Sequence, residues 1–125
     1  MFHRRAAIAS SLTIIVVSLL MAAAPPADEW KAVEEAMGKG LPKTAIEKLQ
    51  PIITRAMSEQ AHAEAIKAIT LKMSLEGNIE GNKPEEKIRR LEAEIAKAPA
   101  EMQAPMQAVL ANWYWHYFQQ NRWRF

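Results

Sequence analysis

The chain has 125 residues, 16 Lys and Arg against 14 Asp and Glu, and no cysteine. That length allows one ordinary domain. The missing cysteine excludes a disulfide scaffold, a thiolate nucleophile and a lipid-modified N-terminal Cys.

Residues 1–24 read as a secretory signal peptide. His3, Arg4 and Arg5 give a basic start, an apolar run over 6–21 is interrupted only by Ser and Thr, and Ala22, Ala23 and Ala24 follow. That is the three-part layout of an export signal. An uncleaved anchor is the alternative, although the run of about 16–19 residues is marginal against the about 20 that a span needs. Pro25 disfavours cleavage after Ala24, which leaves Ala22, Ala23 or Ala27. The expected location is therefore the periplasm or cell envelope, with membrane contact only through this segment. Without Arg4 and Arg5 the balance is 14 basic against 14 acidic residues. A neutral chain argues against nucleic acid as a partner, because that binding is driven by phosphate neutralisation.

Residues 28–125 read as one helical domain, with five helices and no strand. The first covers about 28–37, where Trp30, Val33 and Met37 recur at helical spacing, Asp28 and Glu29 suit its N-terminus, and Gly38 and Gly40 stop it. The second covers about 42–57. Pro42 fits its first position, and Thr44 to Glu47 also reads as a capping box. Pro51 predicts a kink or break near Leu49. The third, about 61–75, is apolar on most sides and is expected to be central. "EGNIEGNKP" (76–84) is a loop by its Gly and Asn content. The fourth, 84–97, has a narrow seam of Ile88, Leu91 and Ile95 on a charged helix, with Glu86 and Arg90 spaced for an ion pair. The fifth begins near Ala100 and runs past Gln119, its regular part starting at Pro105.

Short connections force neighbouring helices antiparallel. The expected fold is all-α, a stack of antiparallel helical hairpins of tetratricopeptide-like form, preceded by the signal helix. The repeat itself is weak. "TAIEKLQPII" and "EAIKAITLKM" share an Ala-Ile pair at a spacing shorter than the about 34 residues of a genuine array, and the Trp/Leu-Gly/Tyr signature is missing.

No catalytic constellation stands out, and no cofactor is expected. Beyond the signal, His62 reads as a surface or capping residue at a helix start, and His116 as a ring packed among aromatics. Two histidines without cysteine are too few for zinc. "EGNIEGNKPEE" lacks calcium-loop spacing, and "GKG" lacks the rest of a phosphate loop. The carboxylate pairs Glu34–Glu35 and Glu85–Glu86 read as structural, the second at a helix front where the dipole accounts for it. Met57, Met73, Met102 and Met106 read as core filler. An enzyme is not expected.

The closing stretch, "NWYWHYFQQNRWRF", is the anomaly. Trp113 and Tyr117 continue the face of Leu110, but Tyr114, Phe118 and Asn121 form a second stripe and Trp115, Gln119 and Arg122 a third. Four preceding helices can cover one such face and not three. A membrane-surface helix would need several Lys or Arg on a clean polar face, and only Arg122 and Arg124 are at hand. "NRWRF" reads as the interior of an element, so the domain is expected to be truncated at its C-terminus. Tyr114, Trp115, Phe118, Arg122, Trp123 and Phe125 are the candidate docking surface, for a partner protein or for the following domains of a longer chain.

The order of "WKAVEEA" (30–36), "KGLPKTAIEKLQPIITRA" (39–56), "AIKAITLKM" (65–73) and the aromatic block ending in "NRW" (113–123) resembles the N-terminal helical region of bacterial alpha-2-macroglobulin-like proteins. These are long exported chains of repeated β-sandwich domains. The resemblance implies an exported proteinase inhibitor of which this is a non-catalytic helical scaffold segment. The bait region, the sandwich repeats and the thioester Cys-Gly-Glu-Gln are not in this sequence, so no functional residue carries over. The alternative expectation is a complete small envelope interaction module that binds its partner through the C-terminal aromatic helix.

Overall fold

The structure is a computed structural model that describes residues 26–125. The expected signal segment, 1–24, lies outside the described residues. Five α-helices follow one another: α1 (Pro26–Gly38), α2 (Pro42–Ser58), α3 (His62–Ile79), α4 (Pro84–Lys97) and α5 (Ala100–Asn121). A single 3₁₀ turn, Arg122–Arg124, closes the chain. Among the described residues there is no strand.

Backbone chemistry sets the boundaries. Pro42 and Pro84 stand in the first turns of α2 and α4, where a missing N–H costs nothing and the fixed φ is already helical. Three helices end in the same way. Past α1, the Leu41 N–H donates to the Ala36 carbonyl at 2.9 Å and Gly40 takes φ 70°. Past α2, the Ala61 N–H reaches the Ala56 carbonyl at 2.8 Å around Gln60 at φ 56°. Past α3, the Asn82 N–H reaches the Gly77 carbonyl at 2.8 Å around Gly81 at φ 92°. Each is a Schellman closure, which needs one residue in the left-handed region. Glycine adopts it freely and Gln60 does so under strain.

Several sequence expectations change here. α2 runs unbroken through Pro51, and α5 runs unbroken from Ala100 through Pro105. Each proline removes one N–H from a helix that tertiary packing holds together anyway. α3 extends to Ile79, so the expected loop of 76–84 shrinks to residues 80–83. The Thr44–Glu47 capping box does not form: Leu41 is the N-cap of α2, and no side chain caps it.

Each helix packs against its neighbour in sequence, and α3 also touches α5. α3 is the central element because it is buried on two sides. Ala68 and Leu75 join Val33, Ala36, Ala45, Leu49 and Ile52 of α1 and α2 in one core cluster. Ala65, Ile66 and Met73 join Ala56, the α4 seam of Ile88, Leu91 and Ile95, and Met102, Met106 and Leu110 of α5 in the other. Met73, Met102 and Met106 fill the core as expected, whereas Met57 is exposed. Among the described residues no polar side chain is fully buried.

Candidate docking surface

α5 carries two faces with opposite character. Met102, Met106 and Leu110 point inward, and Trp113, Tyr117 and Val109 pack half-buried against the same cluster. On the opposite side Ala100, Ala104, Ala108, Ala111, Trp115 and Phe118 are exposed, flanked by the exposed Glu101, Gln107 and Gln119. They recur at i, i+4, i+8, i+11, i+15 and i+18, which is one stripe on a helix of about 3.6 residues per turn. A soluble helix with only one neighbouring layer ordinarily carries polar residues there.

The aromatic end of that stripe is a cluster in its own right. Trp115 and Phe118 have ring centroids 6.1 Å apart, and Phe118 and Phe125 stack at 6.0 Å. Their exposures are 58 %, 45 % and 84 %. Rings at this spacing attract one another, yet their outer faces meet only solvent. Trp123 is also exposed, its indole N–H bonded to the Gln120 carbonyl at 3.2 Å and the Arg124 guanidinium 5.6 Å from its ring. Arg122 is exposed as well. Tyr114 sits at the edge of the set: it is half-exposed, but its hydroxyl donates to Glu92 of α4.

A second hydroxyl fastens α5 to α4. Tyr117 donates to Glu85 at 2.8 Å. That bond holds the Glu85 carboxyl below its ordinary range and pushes the Tyr117 hydroxyl up. The Tyr114 hydroxyl is raised for the same reason, its bond to Glu92. Beside Tyr117 lies an open groove of about 330 Å³, lined by Asn82, Lys87, Trp113, His116, Tyr117 and Gln120. The Lys87 ammonium lies 4.4 Å above the Trp113 ring. His116, expected among packed aromatics, is exposed on this groove. His62, expected as a surface or capping residue, is half-buried in the first turn of α3 with Ala61 as N-cap, and its Nδ1 is buried without a hydrogen-bond partner.

The most organised polar site escaped the sequence reading. Arg55 of α2 bonds Glu29 of α1 at 3.0 Å, Glu64 of α3 at 2.7 Å and Glu59 at 3.0 Å. The Trp30 indole N–H donates to Glu64 at 2.9 Å, and Lys67 lies 4.0 Å over the Trp30 ring. The Arg55 bond, helped by Trp30, holds the Glu64 carboxyl below its ordinary range. Arg55 in turn is driven further toward its charged form by Glu64 and Glu29. A smaller relative surrounds Arg90, which meets Glu86 at 2.8 Å as expected and Glu80 of the α3–α4 connection as well. Both networks have every charge answered and tie helices together, so they serve structure. The signal for the first was faint: an arginine beside the buried pair Ile52 and Ala56, with glutamates near two other helix starts.

Among the described residues no group of three His, Asp or Glu side chains could hold a metal ion, and no helix is long and apolar enough to cross a membrane. No family model, curated protein or solved structure matches the chain.

Proposed function

We propose that the chain is a non-catalytic docking and scaffold segment of an exported protein, a stack of helical hairpins that presents the outer face of α5 to another polypeptide surface. The observation that carries this reading is the mutual packing of Trp115, Phe118 and Phe125 into one exposed ring cluster on the side of α5 opposite Met102, Met106 and Leu110. Exposed aromatics grouped in this way mark association surfaces. Export follows from the layout of residues 1–24, and the protein then works in the periplasm or cell envelope. The alpha-2-macroglobulin-like reading, a leading helical region of a proteinase inhibitor, is carried by the resemblance of residues 30–36, 39–56, 65–73 and 113–123. The short connections and the sequential packing of α1 to α5 support the hairpin stack.

An apolar fluorescent dye tests the docking face. Dilute, monomeric wild-type chain should bind it, and Trp115→Gln with Phe118→Gln should abolish the signal at unchanged helix content. A wild type that is both monomeric and dye-silent would overturn the reading. Mass spectrometry of the exported product tests the targeting: an N-terminus between Ala23 and Asp28 is expected, and an intact Met1 in a membrane pellet would contradict cleavage.

A further inference from the structure

The outer stripe of α5 is not uniform, and its asymmetry points to its occupant. The N-terminal half is small and flat, with Ala100, Ala104, Ala108 and Ala111. The C-terminal half is large, with Trp115 and Phe118 and the Phe125 ring stacked on it. Every one of these positions is exposed. The charges divide in the same way. Glu101 stands beside the alanine half, and Arg122 and Arg124 follow the aromatic half, all three exposed.

We propose that this face docks against a second copy of the chain, with the two α5 helices antiparallel and crossing at Ala111. This rests on the docking reading of α5 and names its occupant. A two-fold axis through Ala111 sets Ala104 opposite Phe118, Gln107 opposite Trp115, and Ala100 opposite Arg122. Large rings of each copy then enter the shallow half of the other, and the interface is self-complementary, as an isologous two-fold contact requires. Alanine at the crossing lets the axes approach to about 8 Å, the close end of helix packing. Glu101 of each copy comes within one turn of Arg122 of the other, so the arrangement pairs opposite charges at both ends. A parallel pairing would set ring against ring and Arg122 against Arg122.

The size is adequate. α5 has 22 residues and is therefore about 33 Å long. Three rings of about 150–250 Å² each, at the exposures given above, offer roughly 400 Å² per copy. The alanine half and the flanking side chains bring the face toward the about 800 Å² per partner of a standard interface. A membrane surface fits less well, because half of the stripe is alanine and a carboxylate borders it.

Sedimentation velocity of the chain across the micromolar range decides the matter. Wild type should run as a dimer that weakens with salt. Ala111→Glu and Glu101→Arg should each run as monomers at unchanged helix content. The double exchange Glu101→Arg with Arg122→Glu should return the dimer. A dimer indifferent to Ala111→Glu and Glu101→Arg would overturn the proposal, and so would failure of the double exchange to restore association. A monomeric wild type that still binds apolar dye through Trp115 would overturn the dimer and leave the docking reading standing, whereas a monomer that binds anionic phospholipid vesicles through Trp115 would overturn the dimer and replace the polypeptide reading with a membrane one. A monomeric, dye-silent wild type would overturn both.

Discussion

The two ends of the molecule solve the same problem in opposite ways. Around Arg55, α1, α2 and α3 bring charged groups to a partly covered junction, and every charge finds a partner: Glu29, Glu59 and Glu64 on the arginine, and Trp30 on Glu64. Around Trp115, α5 brings apolar rings to the surface, and they find only each other. Closing a polar junction stabilises the fold against leaving a charge unpaired, which is costly. Leaving rings in water forgoes the burial that drives folding. A feature that the fold does not need for stability is where an interaction with something else is to be sought.

Substitutions can test this contrast by magnitude. The largest effect belongs to the inner face of α5. Met106 is 1 % exposed, and Met106→Ala should cost about 3 kcal/mol in urea-induced unfolding, by loss of transfer energy and creation of a cavity.

Next comes the polar junction. Arg55→Ala leaves Glu29 and Glu64 facing one another without a cation. Their side chains are 18 % and 23 % exposed, so solvent screens part of the penalty, and a loss of about 2–3 kcal/mol is expected. The junction also sets an acid response. The Glu64 carboxyl is held below the ordinary glutamate range by Arg55 and Trp30. Its contribution is therefore fully present above that ordinary range and is lost as pH falls through the lower, folded-state value. Unfolding midpoints measured down that range should fall more steeply for wild type than for Arg55→Ala. Parallel curves would show that the junction contributes no proton linkage.

A smaller change has the opposite sign. Gln60 holds φ 56° in the closure between α2 and α3, and glycine is the residue that adopts it without strain. Gln60→Gly should stabilise the protein by about 0.5 kcal/mol, after the greater unfolded-chain freedom of glycine is subtracted. Differential scanning calorimetry would show a slightly raised transition. A lowered one would mean that the Gln60 side chain matters more than its backbone.

The helices and much of the core were legible because they rest on local periodicity. The seam of Ile88, Leu91 and Ile95, the starts at Pro42 and Pro84, and the central place of α3 follow from spacing alone. No break forms at Pro51, for a physical reason. A single missing hydrogen bond is a local penalty, and Leu49 and Ile52 on either side of it are buried in the core. The extra turn of α3, past Glu76, was hidden because Gly77 and Asn78 are loop-forming residues, whereas the ion pairs of Arg90 in α4 with Glu76 and Glu80 on either side appear only in the fold. The Arg55 junction was hidden because Glu29 lies 26 residues away and Glu64 nine, distances that no helix periodicity connects. The exposed aromatics were visible as a composition anomaly. Which ring points where also followed from spacing: Trp113 and Tyr117 continue the Leu110 face and pack on the core, while Tyr114, Trp115 and Phe118 are exposed.

The separation of the two faces of α5 is the central claim, and the stability of the double variant Trp115→Gln with Phe118→Gln measures it most directly. Below the concentration at which the wild type self-associates, urea unfolding should give free energies for the two proteins that agree to within about 0.5 kcal/mol, the range of ordinary surface substitutions. A loss above about 2 kcal/mol would place both rings in the core of the fold and would contradict a docking role for the outer face of α5.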